Sequence, residues 1–306
     1  MADVMMTSRN TTESGNAVDA AIDAGALFEV HSTPMEIEGG FVPTIHGGMY
    51  EGQPMRKVTY REMDNGSKKV LNIAHPSFPE SNYLQVVETA EALFPDSTTN
   101  MVVLEDGGRL LFSQEIGEAI DLGNGDEIKP SLLWTASLDS TWATGCHGLA
   151  ERAFCSNQLP LAKVHMMARR TINHDSTLAY RAQILAGVMD QIEVFVQNVS
   201  TLRGITLSKS QFDTIISKIL PAPADDAHGK TVNAYAKKMA AVNYYYGEEA
   251  GGPAAGTAWA AFNAIQSAES HSFTEGKNQI RKQADIIIKE DQPLTVEMER
   301  ACLALA

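Results

Sequence analysis

The sequence predicts an α+β protein in which an antiparallel β-meander is covered by a C-terminal set of helices. Between residues 55 and 150, short apolar runs alternate with Asn-Gly, Asp-Gly and Gly-rich turns, the pattern of β-hairpins. From Ser176 onward, apolar residues recur every three or four positions, the period of a helix with one buried face. A chain of 306 residues with 44% hydrophobic content is long enough to bury the core both patterns require.

Residues 1–54 read as a flexible N-terminal arm. Its first ten residues are expected to be disordered, and Ala17–Phe28 is patterned as one amphipathic helix. His31–Gly52 holds Pro34, Gly39, Gly40, Pro43, Gly47, Gly48 and Gly52, a density that breaks regular structure. It is expected to be irregular, either packing on a neighbouring subunit or forming a surface loop.

The core is predicted over 55–272, with the meander in 55–167 and the helical part in 175–272. Met55–Met63 and Lys69–Ala74 are paired strands around Asp64-Asn65-Gly66. Asn82–Phe94 carries Leu84, Val87 and Leu93 at helical spacing, and Pro95 stops it. Asn100–Glu115 is a hairpin about Asp106-Gly107-Gly108, and Ile128–Ser137 with Ser140–Leu149 form another about Leu138-Asp139. Together these suggest five or six strands in one meander.

Four helices are predicted next: Ser176–Leu202, Ser208–Leu220, Thr231–Tyr246 and Thr257–His271. Gly247–Gly256 reads as a flexible connector before the last of them, and 273–306 as a helical tail with Ile280–Lys289 a candidate fifth helix. Tyr244-Tyr245-Tyr246 and Trp259–Ile265 are read as packing residues, because aromatic side chains dominate core burial.

The net charge is −14 and unevenly placed. Residues 1–150 carry 8 Lys+Arg against 22 Asp+Glu, and residues 151–306 carry 16 of each. A polyanion surface therefore belongs in or beside the second half, since phosphate binding follows the local field. No apolar run nears the roughly 20 residues of a membrane span, and the N-terminus has no basic region followed by an apolar one. A cytoplasmic protein without membrane partners is expected.

Enzyme signatures are lacking. Cys146, Cys155 and Cys302 form no CxxC pair, and the spacing of Cys146, Cys155, His147, His165 and His174 matches no compact zinc motif. There is no G-x-S-x-G elbow and no phosphate-binding glycine loop; Gly123-Asn124-Gly125-Asp126 has acids beside it that would repel phosphate. No catalytic residue, metal or cofactor is expected.

The remaining candidate is a cation cluster. Lys163, Arg169, Arg170 and Arg181 surround a single acid, Asp175. With Arg152 these are the predicted nucleic-acid-binding residues, and Phe154, Tyr180 or Trp142 would stack on bases. The alternative is a solvated basic face, with Tyr180 in the core.

Several segments resemble a known family. Tyr60–Gly66, Leu71-Asn72-Ile73-Ala74 and Asn82-Tyr83-Leu84 are similar to its Arg-x-Asp-x-Gly hairpin and trailing Asn. Arg152–Leu159 is similar to its Arg-Val-x-Cys-x-Asn-Thr-Leu segment, with Gln158 in place of Thr. Arg169–Arg181 and Gly256-Thr257-Ala258-Trp259 through Asn263 to His271 resemble its basic segment and C-terminal helix. The family is the phage- and plasmid-encoded domain of unknown function 932, and the likeness covers residues 55–272. It implies no activity by itself.

A more distant, fold-level likeness to Rad52-like single-strand annealing proteins implies single-stranded DNA binding, strand annealing in recombination or replication, and a homo-oligomer. The alternative is a non-enzymatic phage scaffold or host-interaction protein acting through its acidic half.

Overall fold

The computed structural model describes residues 12–35, 49–50, 53–54, 56–76, 82–142, 144–152, 158–160, 178–273, 282 and 293–305. The α+β class is as expected, with helices concentrated in the C-terminal half. The first ten residues, Cys155, the link 161–177 and most of 274–292 lie outside the described residues.

Strand β1 (Thr12–Ser14) leads into helix α1 (Ala17–Asp23), capped by Asn16, whose side chain accepts from the Asp19 backbone N–H at 2.7 Å. β2 (His31–Pro34) follows, so the predicted irregular arm begins as a strand. Its four residues pair with β5 (Lys57–Glu62), and Pro34 falls at the strand end, where a missing N–H is tolerated. β3 (Met49–Tyr50) and β4 (Gln53–Pro54) form a separate short ribbon.

β5 returns as β6 (Lys68–Ala74) across the predicted turn, with Gly66 at φ +76°. This hairpin does not join the meander. With β2 it makes its own three-stranded sheet, and the large sheet runs in the order β1-β7-β8-β10-β11-β12. Its members are β7 (Thr99–Leu104), β8 (Arg109–Glu115), β9 (Ile120–Gly123), β10 (Asp126–Ser137), β11 (Gly145–Arg152) and β12 (Gln158–Pro160), all antiparallel, with β9 beside the start of β10.

β10 contains Pro130, which a central strand would normally exclude. Its neighbour changes there, from β9 along 126–128 to β8 along 131–137. The Pro130 carbonyl accepts from Ile116 N–H at 3.0 Å on the β8 side. Its absent N–H would face the same side, in the gap between β9 and β8.

The hairpin of β10 and β11 is wider than predicted, because Ser140, Thr141, Trp142 and Thr144 are not in a strand and β11 begins at Gly145. The Asp139 carboxylate accepts from Thr141 N–H (3.0 Å) and the Thr141 hydroxyl (2.5 Å), and Ser140 is left-handed at φ +61°. Those local bonds compete with ladder pairing.

Two cores organise the molecule. In the first, α1 and α2 (Leu84–Leu93) pack with the central strands around Val87, Ala90, Met101, Phe112, Leu132 and Trp134. The Gln114 amide donates to the Ala90 and Phe94 carbonyls of α2 (both 3.1 Å) and its oxygen accepts from Trp134 Nε1 (3.2 Å), fixing helix to sheet. Helices ahead of the meander thus cover it as well as those behind. Consecutive residues Leu110, Leu111 and Phe112 are all fully buried, so both faces of β8 are covered.

The second core is helical. It gathers α3 (Leu178–Gly204), α4 (Lys209–Ile219), α5 (Gly229–Ala250), α6 (Ala258–Ser267) and α7 (Pro293–Leu303) around Phe195, Phe212, Trp259, Ile265 and Met298. α3 packs on β11, and Ile192 touches both cores. α4 starts with a capping box in which Ser208 and Gln211 satisfy each other's backbone N–H. α5 runs one turn beyond the prediction and absorbs the start of the expected connector.

α6 continues as a π-turn, Ala268–Ser272. There the Glu269 carboxylate accepts from Leu294 N–H (3.0 Å), Thr295 N–H (2.8 Å) and the Thr295 hydroxyl (2.6 Å), so it caps α7. α7 has Pro293 at its first position, where the missing N–H costs nothing. Met298 and Cys302 carry it into the helical core.

Candidate functional site

Sheet and helices meet at a buried ionic junction to which β10, β11, α3, α5 and α6 each contribute a side chain. Asp126 opens β10 and Arg152 closes β11, which the antiparallel register places at the same end of the sheet. Arg152 Nε donates to Asp126 Oδ1 (2.7 Å) and Nη2 to Asp126 Oδ2 (3.0 Å), a two-pronged pair, while Nη1 donates to Glu249 Oε1 of α5 (2.6 Å). From the end of α3, Arg203 donates to Asp126 Oδ2 (2.7 Å) and to the Gly123 carbonyl (3.0 Å). Trp259 Nε1 of α6 donates to the same Asp126 oxygen (3.1 Å).

Asp126 and Arg152 are completely removed from solvent and Glu249 nearly so. Two arginines face two carboxylates, so the group is neutral in sum, the condition under which buried charge is tolerated. The Arg152 guanidinium lies 5.7 Å from the Trp259 ring, which stacks on Phe262 at 5.3 Å. Phe195 meets Trp259 edge-on at 6.2 Å. All three rings are buried.

This placement corrects the reading of Arg152 as a phosphate-positioning residue. Its side chain is fully buried and three of its nitrogen atoms are engaged by carboxylates, so it offers no donor to a ligand at the surface. Lys163, Arg169 and Arg170 lie outside the described residues. The backbone of Arg181 is in the first turns of α3. Trp142, offered as a base-stacking residue, is buried beneath Arg109, whose guanidinium sits 5.1 Å from its ring. Phe154 lies outside the described residues; Tyr180 is in the first turn of α3.

Arg203 and Glu249 are not singled out in the sequence, and Asp126 enters there only within a glycine-rich turn whose acids would repel phosphate. Arg152 and Glu249 are 97 positions apart and Asp126 and Trp259 are 133 apart, with no local motif to join them. The one available signal was indirect: Arg152 and Trp259 each stand in a segment that resembles the same family.

A second polar cluster lies at the opposite end of β10. Arg109 Nε donates to Asp139 Oδ2 at 2.7 Å, and the Tyr83 hydroxyl donates to the Gly107 carbonyl at 2.8 Å. Glu105 and Asp106 are both left-handed, each at φ +53°, and Gly107 follows at +98°. A Cβ on Gly107 would meet Arg61 Nη1 and Phe28 Cζ at 2.8 Å, so the turn is closed over by those side chains.

Titration follows burial. Desolvation pushes the Tyr83 phenol well above its ordinary value and does the same to the Cys146 thiol; Cys302 is pushed up to about 11. Neither thiol has the electropositive, open setting that makes a nucleophile. Burial alone would raise the Asp139 carboxyl, but the Thr141 hydrogen bonds and Arg109 outweigh it and hold it below the usual carboxylate range. Among the described residues no group of three or more His, Cys, Asp and Glu could hold a metal ion, and no helix is long and apolar enough to cross a membrane.

Fold and junction together define an α+β protein whose antiparallel sheet is locked to a helical layer by a buried ionic clamp. Residues 82–291 match the family described as a domain of unknown function (DUF932), a span of more than half the chain, and the protein belongs to that family. No curated protein and no solved structure matches it. The fold-level likeness to Rad52-like annealing proteins therefore finds no support.

Proposed function

We propose that this is a phage-encoded, non-enzymatic protein that binds single-stranded DNA as a homo-oligomer, in strand annealing or as an accessory to replication. The observation that carries the reading is how positive charge is distributed along the sequence. Arg152 and Arg203 are neutralised inside the clamp by Asp126 and Glu249. Lys163, Arg169, Arg170 and Arg181 follow one another in the sequence between β12 and the start of α3, with one acid among them. In a chain of net charge −14, a local run of cations is what draws a sugar-phosphate backbone.

The test is binding of a labelled oligothymidylate across a salt series. Replacing Arg169 and Arg170 together by Ala removes up to two phosphate contacts and lowers the slope of log affinity against log salt by about 1.4. Equal affinity of variant and parent at every salt concentration would remove these residues from the site. The acidic N-terminal half favours a second reading, a scaffold that engages a phage or host protein. It is preferred if the parent protein binds no oligonucleotide at low salt.

A further inference from the structure

Helix α5 carries an exposed surface in a stretch expected to pack: of Tyr244-Tyr245-Tyr246, Tyr244 lies 59% exposed. Between Asp226 and Glu248 the chain has no acid, yet it holds Lys230, Lys237, Lys238 and four tyrosines. The same helix is built with one side inward: Met239, Val242, Tyr246 and Glu249 recur at helical spacing, Val242 and Glu249 are buried, and Tyr246 stacks on Phe212 at 3.8 Å. The lysines lie on what is left. Lys230, Lys237 and Lys238 are all exposed, and so is Tyr244 at 59%.

Spacing sets these side chains in rows. Lys230, Lys237 and Tyr244 are seven residues apart, close to two full turns, and so lie along one line of the helix about 21 Å long. Lys238 and Tyr245 repeat the interval one position on. Beside that second row the π-turn brings His271, whose ring is 6.2 Å from Tyr245, and Ser272, whose hydroxyl reaches the Tyr245 hydroxyl at 3.5 Å. Tyr244 and Tyr245 meet edge to face at 5.1 Å, and Tyr244 still keeps 59% of its surface exposed. Desolvation holds the His271 imidazole below its ordinary pKa, which favours the neutral ring.

We infer that the outer face of α5 binds single-stranded nucleic acid, the lysines tracking its phosphates and Tyr244 stacking on a base. This rests on the single-strand reading above and adds a second contact surface to it. A solvated helix face needs only charge, and a core helix needs only aromatics. Two cations followed by an exposed aromatic along one line meet the two requirements of a single-strand groove together. The occupant is a polyanion because Lys230, Lys237 and Lys238 precede any acid on the helix, Glu248 standing one turn beyond Tyr244, and three like charges repel a second copy of the same stretch.

The experiment uses the full chain and a labelled oligothymidylate at several salt concentrations, with circular dichroism and light scattering on each variant. Tyr244→Ala is expected to weaken binding between about 5- and 150-fold, the range for loss of one stacked base. Tyr244→Phe keeps the ring and is expected to restore the parent affinity, which a mere change in helix stability would not do. Replacing Lys230, Lys237 and Lys238 together by Gln is expected to lower the salt slope by about 2.

If the parent binds and all three variants match it, the α5 face is overturned and the single-strand reading stands. If the variants shift the oligomeric state at unchanged affinity, the face belongs to a protein contact and the inference fails. If the parent itself binds no oligothymidylate at low salt, both readings fall.

Discussion

Replacing Arg152 by Ala separates two opposite accounts of one residue. In the structure its guanidinium makes three hydrogen bonds, at 2.7, 3.0 and 2.6 Å, to carboxylates that water does not reach. After truncation Asp126 keeps Arg203 and the Trp259 indole, whereas Glu249 loses its Arg152 pair. Breaking a buried pair by removing one partner costs about 3–5 kcal/mol. In a chain of 306 residues that lowers the thermal midpoint by about 5–8 °C. Urea unfolding followed by tryptophan fluorescence reads it directly, since Trp259 sits in the junction. Arg152→Lys should fall between, because one ammonium cannot reproduce a planar fork reaching two carboxylates. A variant that unfolds with the parent but loses oligonucleotide affinity would refute the clamp and restore Arg152 as a ligand contact.

Further outcomes follow from the same contacts. The double variant Arg152→Met/Glu249→Met should be less destabilised than the sum of the single variants by about 1–3 kcal/mol, a coupling that a double-mutant cycle measures. Glu269→Gln removes the charge that caps α7 and should cost about 1–2 kcal/mol, seen as earlier hydrogen exchange of the Leu294 and Thr295 amides. Gly107→Ala should destabilise by about 1–3 kcal/mol, because it combines positive φ with contact against Arg61 and Phe28; unfolding at the parent midpoint would contradict that closure. Asp139 has a folded pKa below its unfolded one, so its contribution is present above about pH 4 and is lost as pH falls through the lower folded value. The stability gap between parent and Asp139→Asn should therefore narrow on acidification below pH 4, and a gap that widened there would have the wrong sign.

The sequence by itself determined the elements whose signals are local. Asn65-Gly66 set a hairpin because tight turns need positive φ; Pro95 ended α2; Ser208 and Gln211 began α4 by capping each other. Where the outcome depended on distant partners, local pattern misled. Gly247–Ala250 read as a connector, but Glu249 is drawn into helix by a pair with Arg152, and the hairpin at 57–74 left the meander to pair with β2. Tyr244 and Tyr246 have the same chemistry two positions apart. One stacks on Phe212 and the other faces solvent, a distinction made only by how α5 lies on α4. Arg152 shows the limit most plainly: a cation beside a basic run suggests a phosphate contact, and only the tertiary structure brings Asp126 and Glu249 around it. Charge fixes what a side chain can bind, but burial decides what it meets, and burial is a property of the whole chain.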